Sequence, residues 1–331
     1  MKVIITGGGG YLGEKLAAAI VKRGKLVGRS GKQEQVEHIA LVGRSIGKDH
    51  KAWENAEGIR IERVAGSVTD HEFLKKVISG ESVTVFHLAA VLPGVTERDL
   101  TAALDINVDG TRNVLDALAQ CGPACRFVAT SSLTVFGRDE ADEPVSERTV
   151  MRPATVYGHT KAIGEMLVGA YAHAGKVDGR CARLSTVVVR PHKIGSSAGA
   201  SISDALRDIT LGVACDVLLA PSTRAAIIDY DTSIEGLIHL QTIDRDLMDD
   251  DPTVNFPALT ASVEEMIEEA SAAARRHGRS PGIINFKPDT FAQTVIDGWA
   301  TGVDGTRAEK LGISPAKSLR EICDGVWRSV A

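Results

Sequence analysis

A run of four glycines near the beginning constrains the fold of this chain more than any other feature. Residues 6–13 read Thr-Gly-Gly-Gly-Gly-Tyr-Leu-Gly, and their glycines satisfy both a G-x-x-G-x-x-G and a G-x-G-x-x-G spacing. The apolar run Val3–Ile5 precedes them, and apolar residues recur at helical spacing over Tyr11–Arg23. A glycine turn between a strand and a helix lets the backbone approach a pyrophosphate, whose charge the helix N-terminus stabilises. We therefore expect a dinucleotide-binding turn rather than a merely flexible loop.

Predicted strands and helices alternate through the first half of the chain. The predicted strands are Val3–Ile5, Ile39–Val42, Ile59–Val64, Val83–Leu88 and Arg126–Thr130. Helical spacing continues over Leu100–Ala119. Strands that alternate with helices pair in parallel through right-handed crossovers. The pattern predicts an α/β fold, a Rossmann-type doubly wound parallel sheet that binds a dinucleotide.

The second half mixes helices and strands without strict alternation. Residues 195–201 are rich in Gly and Ser, which predicts a flexible connector. The predicted helices are 202–213, 233–244, 262–276 and 318–330, and the predicted strands are 225–228, 254–256 and 282–286. We expect a Rossmann domain over residues 1–194, with part of 225–245 returning to it. Residues 195–331 are expected to form a smaller α/β C-terminal lobe that binds the substrate.

Two polar stretches interrupt these patterns. Residues 25–37, between the first helix and the second strand, are rich in Gly, Lys and Gln and are interpreted as an exposed loop insertion. The acidic run 244–251 lacks the glycine and the terminal glutamate of a calcium-binding loop, which favours a solvated turn.

Composition excludes several classes of function. The net charge is -5 and the pI is about 6.0, so no basic surface for nucleic acid is expected. No apolar run is long enough to span a membrane, and the first residues resemble a core strand rather than a signal peptide. The five cysteines show no metal-ligand spacing with histidines. We expect free thiols in a cytoplasmic protein without a metal.

The candidate catalytic residues are Tyr157, Lys161 and Ser132. Tyr157 and Lys161 stand at i and i+4, which places both side chains on one face of a helix. A nearby ammonium lowers the pKa of a phenol, so that the tyrosine can act as a base on an alcohol. Ser132 ends the strand that begins at Arg126, at the carboxyl end where open α/β sheets bind ligands. Ser131 and Thr130 are its rivals as donor to the substrate oxygen.

The end of the second strand bears on the choice of cofactor. A carboxylate at this position usually binds the adenosine ribose, but the chain continues Gly43-Arg44-Ser45. Arg44 and Ser45 would suit a 2′-phosphate, which favours NADP. The alternative is that Arg44 is a solvated surface residue.

These motifs together resemble those of the extended short-chain dehydrogenases/reductases, the NAD-dependent epimerase/dehydratase family. The resemblance also rests on residues 87–90 (His-Leu-Ala-Ala), 131–137 (Ser-Ser-Leu-Thr-Val-Phe-Gly) and 304–312. It covers nearly the whole chain, implies a nicotinamide cofactor and points to Ser132 as the catalytic serine. Residues 107–111 open a helix where the family carries an active-site asparagine.

The expected cofactor site follows the glycine turn, the carboxyl ends of the strands and the tyrosine-lysine helix. The expected cofactor-binding residues are Gly7, Gly10, Tyr11, Leu12, Gly13, Arg44, Ser67, Val68, Leu88, Ala89, Ala90, Asn107, Thr130, Tyr157, Lys161, Leu184 and Thr186.

Within the family, residues 157–168 and 177–191 are most similar to the D-erythronate dehydrogenase branch. That resemblance implies oxidation of the C2 hydroxyl of a small sugar acid to a 2-keto acid, with NAD as oxidant. It also implies a homodimer built from the helices 104–119 and 157–173. Gly43 departs from the branch, which leaves NAD and NADP both open, and Ser67, Ser185 and His192 depart from the family or the branch as well.

A sugar-acid substrate requires a cationic side chain for its carboxylate. The candidates are Arg190, His192 and Arg224, together with Ser132 at the reacting hydroxyl. His87 and His159 are expected to be packing or surface residues.

Two alternatives remain beside the sugar-acid dehydrogenase. The first is a nucleotide-sugar epimerase or dehydratase on the same scaffold, although a dehydratase typically adds acidic groups where this chain has Leu133 and Thr134. The second is a cofactor-sensing protein without turnover, which would have no need of Tyr157, Lys161 and Ser132.

Overall fold

The computed structural model describes residues 1–44, 58–137, 143–189 and 198–330. They group into two compact units. The first, here called the sheet unit, comprises Met1–Ser132, His159–Arg183 and Ile234–Val254. The second, here called the mixed unit, comprises Leu133–Gly158, Leu184–Ser233 and Asn255–Ala331. The units interleave along the chain, whereas the expected Rossmann domain ran over residues 1–194 with part of 225–245 returning to it.

A seven-stranded sheet forms the centre of the sheet unit. Its strands are β1 (Lys2–Thr6), β4 (His38–Gly43), β5 (Arg60–Ala65), β6 (Val83–His87), β7 (Arg126–Ser132), β8 (Asp178–Leu184) and β12 (Thr253–Asn255). Their order is β12-β8-β7-β6-β1-β4-β5, and β5, β4, β1, β6 and β7 pair in parallel. The Rossmann-type sheet and its five predicted strands are confirmed. The order reverses between β1 and β6, where such sheets bind their ligands.

The helices that accompany this sheet begin and end at identifiable signals. They are α1 (Tyr11–Arg23), α2 (His71–Val77), α3 (Leu100–Ala103), α4 (Gly110–Ala119), α5 (Val156–His173) and α7 (Tyr230–Thr242). Gly24 ends α1 in the left-handed conformation, and the Asp70 side chain caps α2. The single helix predicted over 100–119 is interrupted, because Leu104–Asp109 forms a π-helical segment between α3 and α4.

The predicted exposed loop at 25–37 is wrong. Strands β2 (Lys25–Val27) and β3 (Gln33–Gln35) form an antiparallel hairpin. Leu26 and Val36 are fully buried, and Gln241 donates to the Val27 carbonyl at 2.6 Å. Three-residue strands are too short to show periodicity in the sequence, and β3 has no apolar side chain.

A buried ion pair lies at the beginning of β8. Arg180 is fully buried and binds Asp178 through two hydrogen bonds, Nη2 to Oδ2 at 2.8 Å and Nε to Oδ1 at 3.1 Å. Arg180 also donates to the carbonyls of Leu240 and Gln241. Because the last carbonyls of a helix lack intrahelical partners, the guanidinium caps α7 at its C-terminal end.

The mixed unit contains two small sheets. Strands β9 (Thr186–Val188), β11 (Arg224–Asp229) and β13 (Leu259–Ser262) form one, and β10 (Cys215–Val217) and β14 (Ile284–Phe286) form the other. The helices are α6 (Ala198–Leu211), α8 (Val263–Arg276), α9 (Thr290–Asp297), α10 (Thr306–Lys310) and α11 (Leu319–Val330). An apolar core of α6, α8 and β11 side chains holds these elements together.

The mixed unit corrects the predicted connector at 195–201. Helix α6 already begins at Ala198, four residues before the predicted start, and the earlier part of the connector lies outside the described residues. The helices α8 and α11 begin and end within a residue of their predicted limits. Ser262 and Glu265 form a capping box at the start of α8, which explains why this limit is clear in the sequence.

The structure bears on membrane-spanning helices, metal-binding groups and cysteine pairing. Among the described residues, no helix is long and apolar enough to cross a membrane. The same residues hold no group of three or more His, Cys, Asp or Glu side chains placed to bind a metal. The five cysteines are free thiols, and four of them are buried.

Candidate active site

The glycine turn between β1 and α1 is a cradle that only glycine can form. Gly7 has φ of 71°, and a Cβ there would lie 2.8 Å from the Ala89 nitrogen. A Cβ on Gly13 would lie 2.6 Å from the Gly7 carbonyl oxygen. Gly10 is the N-cap of α1 and offers no side chain to its first amides. The turn therefore fits the pyrophosphate of a dinucleotide, and the amides around Tyr11, Leu12 and Gly13 stay its predicted donors.

A chain of hydrogen bonds behind the turn connects four elements of the sheet unit. The Ala89 amide donates to Thr6 Oγ1 at 3.4 Å, Thr6 Oγ1 lies 2.8 Å from His87 Nδ1, and His87 Nε2 lies 3.0 Å from Thr111 Oγ1. Thr111 Oγ1 donates its only proton to the Asn107 carbonyl at 2.7 Å. His87 Nε2 must therefore carry the proton given to Thr111, and Nδ1 accepts from Thr6.

His87 is buried and neutral. Burial, with a smaller contribution from the Lys161 charge, lowers its pKa from 6.5 to about 3. Its ring also stacks on Phe127, with centroids 5.6 Å apart. His87 is thus a packing residue, as expected from the sequence, and is unsuited to proton transfer near neutral pH.

This depressed pKa predicts a pH-dependent loss of stability. Between about pH 3 and 6.5 the unfolded chain binds more protons at His87 than the folded chain, so stability falls as the pH falls through this window. We expect wild type to lose about 2 kcal/mol more than His87→Gln between pH 7 and pH 5. Urea unfolding at both pH values measures the difference. His159→Gln, at an exposed position of α5, is the control and should lose as much as wild type.

Asn107 fixes the loop that follows β6. Its Oδ1 accepts from the Val91 amide at 2.7 Å, and its Nδ2 donates to the Val91 carbonyl at 3.1 Å. The same Nδ2 donates to Thr160 Oγ1 at 3.0 Å, next to Lys161 on α5. Asn107 thereby fixes the loop of Leu88, Ala89 and Ala90 relative to the lysine helix.

The expected adenosine side of the site lies at the carboxyl ends of β4 and β5. Arg44 is exposed directly after β4. Val68 is buried after β5 and its carbonyl accepts from Asn113 at 3.1 Å, while Ser67 Oγ lies 2.8 Å from Thr69 Oγ1. Ser45 lies outside the described residues.

The end of β7 distinguishes the rival hydroxyls. Ser131 is buried, whereas Thr130 and Ser132 alternate with it and are partly exposed. Because successive side chains of a strand point to opposite faces, Thr130 and Ser132 share a face that Ser131 does not. The more accessible face at the strand end favours Ser132 over Ser131 as the residue that meets a ligand.

Helix α5 carries both Tyr157 and Lys161, one turn apart on one face. Tyr157 is 9% exposed. A Cβ on Gly158 would lie 2.2 Å from the Thr134 carbonyl oxygen, so glycine is required beside the tyrosine. This close approach fixes the first turn of α5 against the 3-10 turn Leu133–Val135.

Lys161 is directed at the end of β7. Its Nζ donates to the Thr130 carbonyl at 2.9 Å. Burial lowers the pKa of Lys161 to about 8, against the opposing effects of Cys181 and Glu165. A lysine with this pKa is still largely an ammonium at neutral pH and loses its charge just above it.

The remaining predicted residues belong to the mixed unit. Leu184 is buried at the end of β8, and Thr186 begins β9. The Arg224 side chain is 54% exposed and its Nη1 lies 4.0 Å from Glu265 Oε2. Arg190 and His192 lie outside the described residues. The carboxylate clamp therefore stays a prediction.

Sequence reasoning missed the residues that hold this site in place. Thr6, Thr111 and Thr160 make buried hydrogen bonds to His87 or Asn107, and Arg183 pairs with Glu165 behind Lys161. One signal was available, because Thr6 and Thr160 immediately precede the glycine turn and the lysine.

These features match a known family model. The model described as "NAD dependent epimerase/dehydratase family" matches residues 3–225. The chain belongs to this family. The match covers the glycine turn, Ser132, Tyr157 and Lys161, and it confirms the predicted extended short-chain dehydrogenase/reductase. It also supports NAD as the cofactor, while nothing in it supports NADP.

Relatives and solved structures agree with this assignment. The D-erythronate dehydrogenase of Cupriavidus necator is 30% identical over 323 residues, 97% of this chain and 96% of the relative. The mitochondrial L-threonine 3-dehydrogenase of Bos taurus is 25% identical over 93% of this chain and 77% of its own length. The crystal structure of the nucleoside-diphosphate-sugar epimerase from Agrobacterium tumefaciens is 28% identical, with a TM-score of 0.85 over 98% of this chain and 92% of that one.

Proposed function

We propose that this protein is an NAD-dependent dehydrogenase that oxidises a secondary hydroxyl of a small sugar acid. The favoured substrate is D-erythronate or a close analogue, with the C2 hydroxyl converted to a 2-keto acid. The observation that carries the proposal is the position of Lys161. Lys161 lies one helical turn after Tyr157 on α5, and its ammonium donates to the carbonyl of Thr130, two residues before Ser132 on β7. The similarity to D-erythronate dehydrogenase over 97% of the chain supports the substrate class.

Each catalytic residue has a separate role. Tyr157 acts as the base that removes the hydroxyl proton, because the Lys161 ammonium stabilises its phenolate. Ser132 donates a hydrogen bond to the substrate oxygen as the oxygen becomes a carbonyl. Lys161 holds the cofactor ribose and, through its bond to Thr130, keeps a fixed position. Bound NAD supplies the hydride acceptor.

The cofactor preference is proposed to be NAD. The glycine turn fits the pyrophosphate of either cofactor. The family favours NAD, although Arg44 is exposed where a 2′-phosphate would lie and the usual carboxylate is absent from Gly43 and Arg44. Measurable reduction of NADP would therefore indicate that Arg44 binds the 2′-phosphate.

The substrate carboxylate is proposed to bind a cation from Arg190, His192 and Arg224. Arg224 is exposed, which suits a ligand contact. A guanidinium binds a carboxylate through two parallel hydrogen bonds, so an arginine is favoured over the histidine.

The function is tested by the absorbance of reduced cofactor. Purified protein is incubated with NAD or NADP and with D-erythronate, other four- to six-carbon sugar acids, or L-threonine. We expect stoichiometric reduction of NAD with a sugar acid. If L-threonine is the only compound that supports NAD reduction, the substrate is the amino acid and not a sugar acid. The relatives from Bos taurus and Sus scrofa are named for that amino acid.

The alternative of a nucleotide-sugar epimerase has one observation in its favour, the similarity to the Agrobacterium tumefaciens structure. An epimerase returns its cofactor to the oxidised form in each turnover. Interconversion of UDP-sugars without net cofactor reduction would therefore favour the epimerase and contradict the dehydrogenase.

We propose that the protein is a homodimer formed through the helices 104–119 and 157–173. Leu100 of α3 and Leu104 of the π-helical segment before α4 are exposed, and Ile163 and Met166, 42% and 63% exposed, lie on α5. Exposed apolar side chains on neighbouring helical turns are typical of a surface that a partner covers.

Met166→Glu is expected to convert the dimer to a monomer, because a buried charge without a partner is costly in an apolar interface. Sedimentation equilibrium measures the change. Ile283→Glu introduces the same charge at a site in the mixed unit that is 70% exposed, and should leave the dimer intact. Wild type that sediments as a monomer at micromolar concentration would contradict the proposal.

The proposed location is the cytoplasm. The five cysteines form no disulfide with one another. Reduced thiols are typical of proteins of a reducing compartment.

A further inference from the structure

A buried ion pair lies one helical turn beyond Lys161. Glu165 stands one turn further along α5, on the face that already carries Tyr157 and Lys161. Its carboxylate binds Arg183 of β8 through three contacts, Nη2 to Oε2 at 2.7 Å and Nε to the two oxygens at 2.9 and 3.1 Å. The side chains are only 3% and 4% exposed.

Several titratable groups of the described residues lie around Lys161 or the groups next to it. His87 of β6 is neutral, and the Cys181 thiol of β8 stays protonated because burial raises its pKa well above 9.0. The charges of Arg183 and Asp251 act on Cys181. Tyr157 shares the helix. Glu165 is therefore the carboxylate that acts on the ammonium of Lys161.

We propose that Glu165, held in place by Arg183, is a positioning residue that stabilises the ammonium of Lys161 from the next turn of α5. The inference rests on the proposed function, because the charge of Lys161 matters only if Tyr157 is the base. Arg183 orients the carboxylate through its planar fork, which fixes both oxygens. Glu165 in turn offsets part of the burial that favours the neutral lysine.

The energetics of buried ion pairs support a role beyond stability. Removing two charges from water costs free energy that their attraction roughly repays, so an apolar pair of similar size would stabilise the fold equally well. An ion pair on the catalytic face of α5, in line with Tyr157 and Lys161, instead supplies a fixed field at the lysine. Arg180 and Asp178 form a comparable pair on the same strand but act on α7, so they provide a matched control.

The first measurement is the pH dependence of kcat/KM with NAD and the best sugar acid. Wild type should lose activity above about pH 8, as Lys161 loses its proton. In Glu165→Gln this alkaline limb should move down by about one pH unit, because an opposite charge nearby has been removed. Asp178→Asn removes a carboxylate from the control pair and should leave the limb unchanged, whatever it does to stability.

The second measurement needs neither substrate nor cofactor. The full-length protein with ¹³C-labelled lysine ε-carbons is titrated by NMR, and the Lys161 signal is assigned by its loss in Lys161→Arg. The Lys161 titration should move down by about one pH unit in Glu165→Gln and stay in place in Asp178→Asn. If Glu165→Gln does not fold, Glu165→Gln/Arg183→Gln keeps an amide pair without a buried net charge, and the same direction is expected.

The two measurements separate the inference from the proposed function. An unshifted Lys161 signal in Glu165→Gln, or an equal shift in Asp178→Asn, would overturn the role of Glu165. If the Lys161 signal shifts in Glu165→Gln but the protein oxidises no sugar acid, the effect of Glu165 on Lys161 is supported and the proposed substrate is rejected.

Discussion

Tyr157→Phe is expected to lose about a thousandfold in kcat while it binds NAD as wild type does. The substitution removes only the phenolic oxygen, and Tyr157 is 9% exposed, so the ring keeps its packing. General base catalysis by a positioned side chain contributes factors of about 10² to 10⁴. Cofactor reduction at saturating sugar acid measures kcat, and calorimetric titration with NAD measures binding.

Tyr171→Phe is the matched control on the same helix. Tyr171 donates its hydroxyl hydrogen bond to Asp116 and lies in the last turns of α5, so its loss can affect stability but not the chemistry. Full activity of Tyr157→Phe would show that the phenol is not the base, whereas a wild type without turnover on any substrate would leave the cofactor-sensing protein. Equal losses in the two variants would indicate a general disturbance of α5.

Gly13→Ala is expected to weaken NAD binding by at least about tenfold and to destabilise the fold by about 1–3 kcal/mol. The new Cβ would lie 2.6 Å from the Gly7 carbonyl oxygen and 2.7 Å from the Gly8 Cα. Both are backbone atoms of the turn, so the turn or α1 must move. Either movement changes the amides that are expected to bind the pyrophosphate.

Gly169→Ala is the control for this substitution. Gly169 is also a helical glycine, but a Cβ there would lie 4.0 Å from Pro252 Cγ, an ordinary contact. Alanine is the better helix former by about 1 kcal/mol, so this variant should be as stable as wild type or slightly more stable. NAD binding by Gly13→Ala at wild-type affinity would show that the turn is not the pyrophosphate site.

The sheet was predictable because its evidence is local. Val3–Ile5 and Phe127–Ala129 are apolar runs within strands, and the glycine turn shows where the first strand ends and a helix begins. Parallel pairing followed from alternation alone. The hairpin of β2 and β3 was not predictable in this way, because a contact such as that of Gln241 with the Val27 carbonyl comes from a distant part of the chain.

The chemistry of the site was predictable to a similar degree. The spacing of Tyr157 and Lys161 defines a helix face, and a strand end places Ser132 where ligands bind. The supporting contacts of Asn107, His87 and Glu165 depend on which side chains meet in space. Local sequence does not encode those contacts, so His87 was assigned a role in packing but not a partner.

The interleaved path of the chain has a consequence for how such a protein can change over evolutionary time. Each compact unit is assembled from three separate stretches, and α5 and α7 begin in one unit and end in the other. A single recombination event therefore cannot exchange one unit for a foreign one. New substrate preferences must arise by substitutions or small insertions within an otherwise intact gene, and neither unit can be inherited as an independent module.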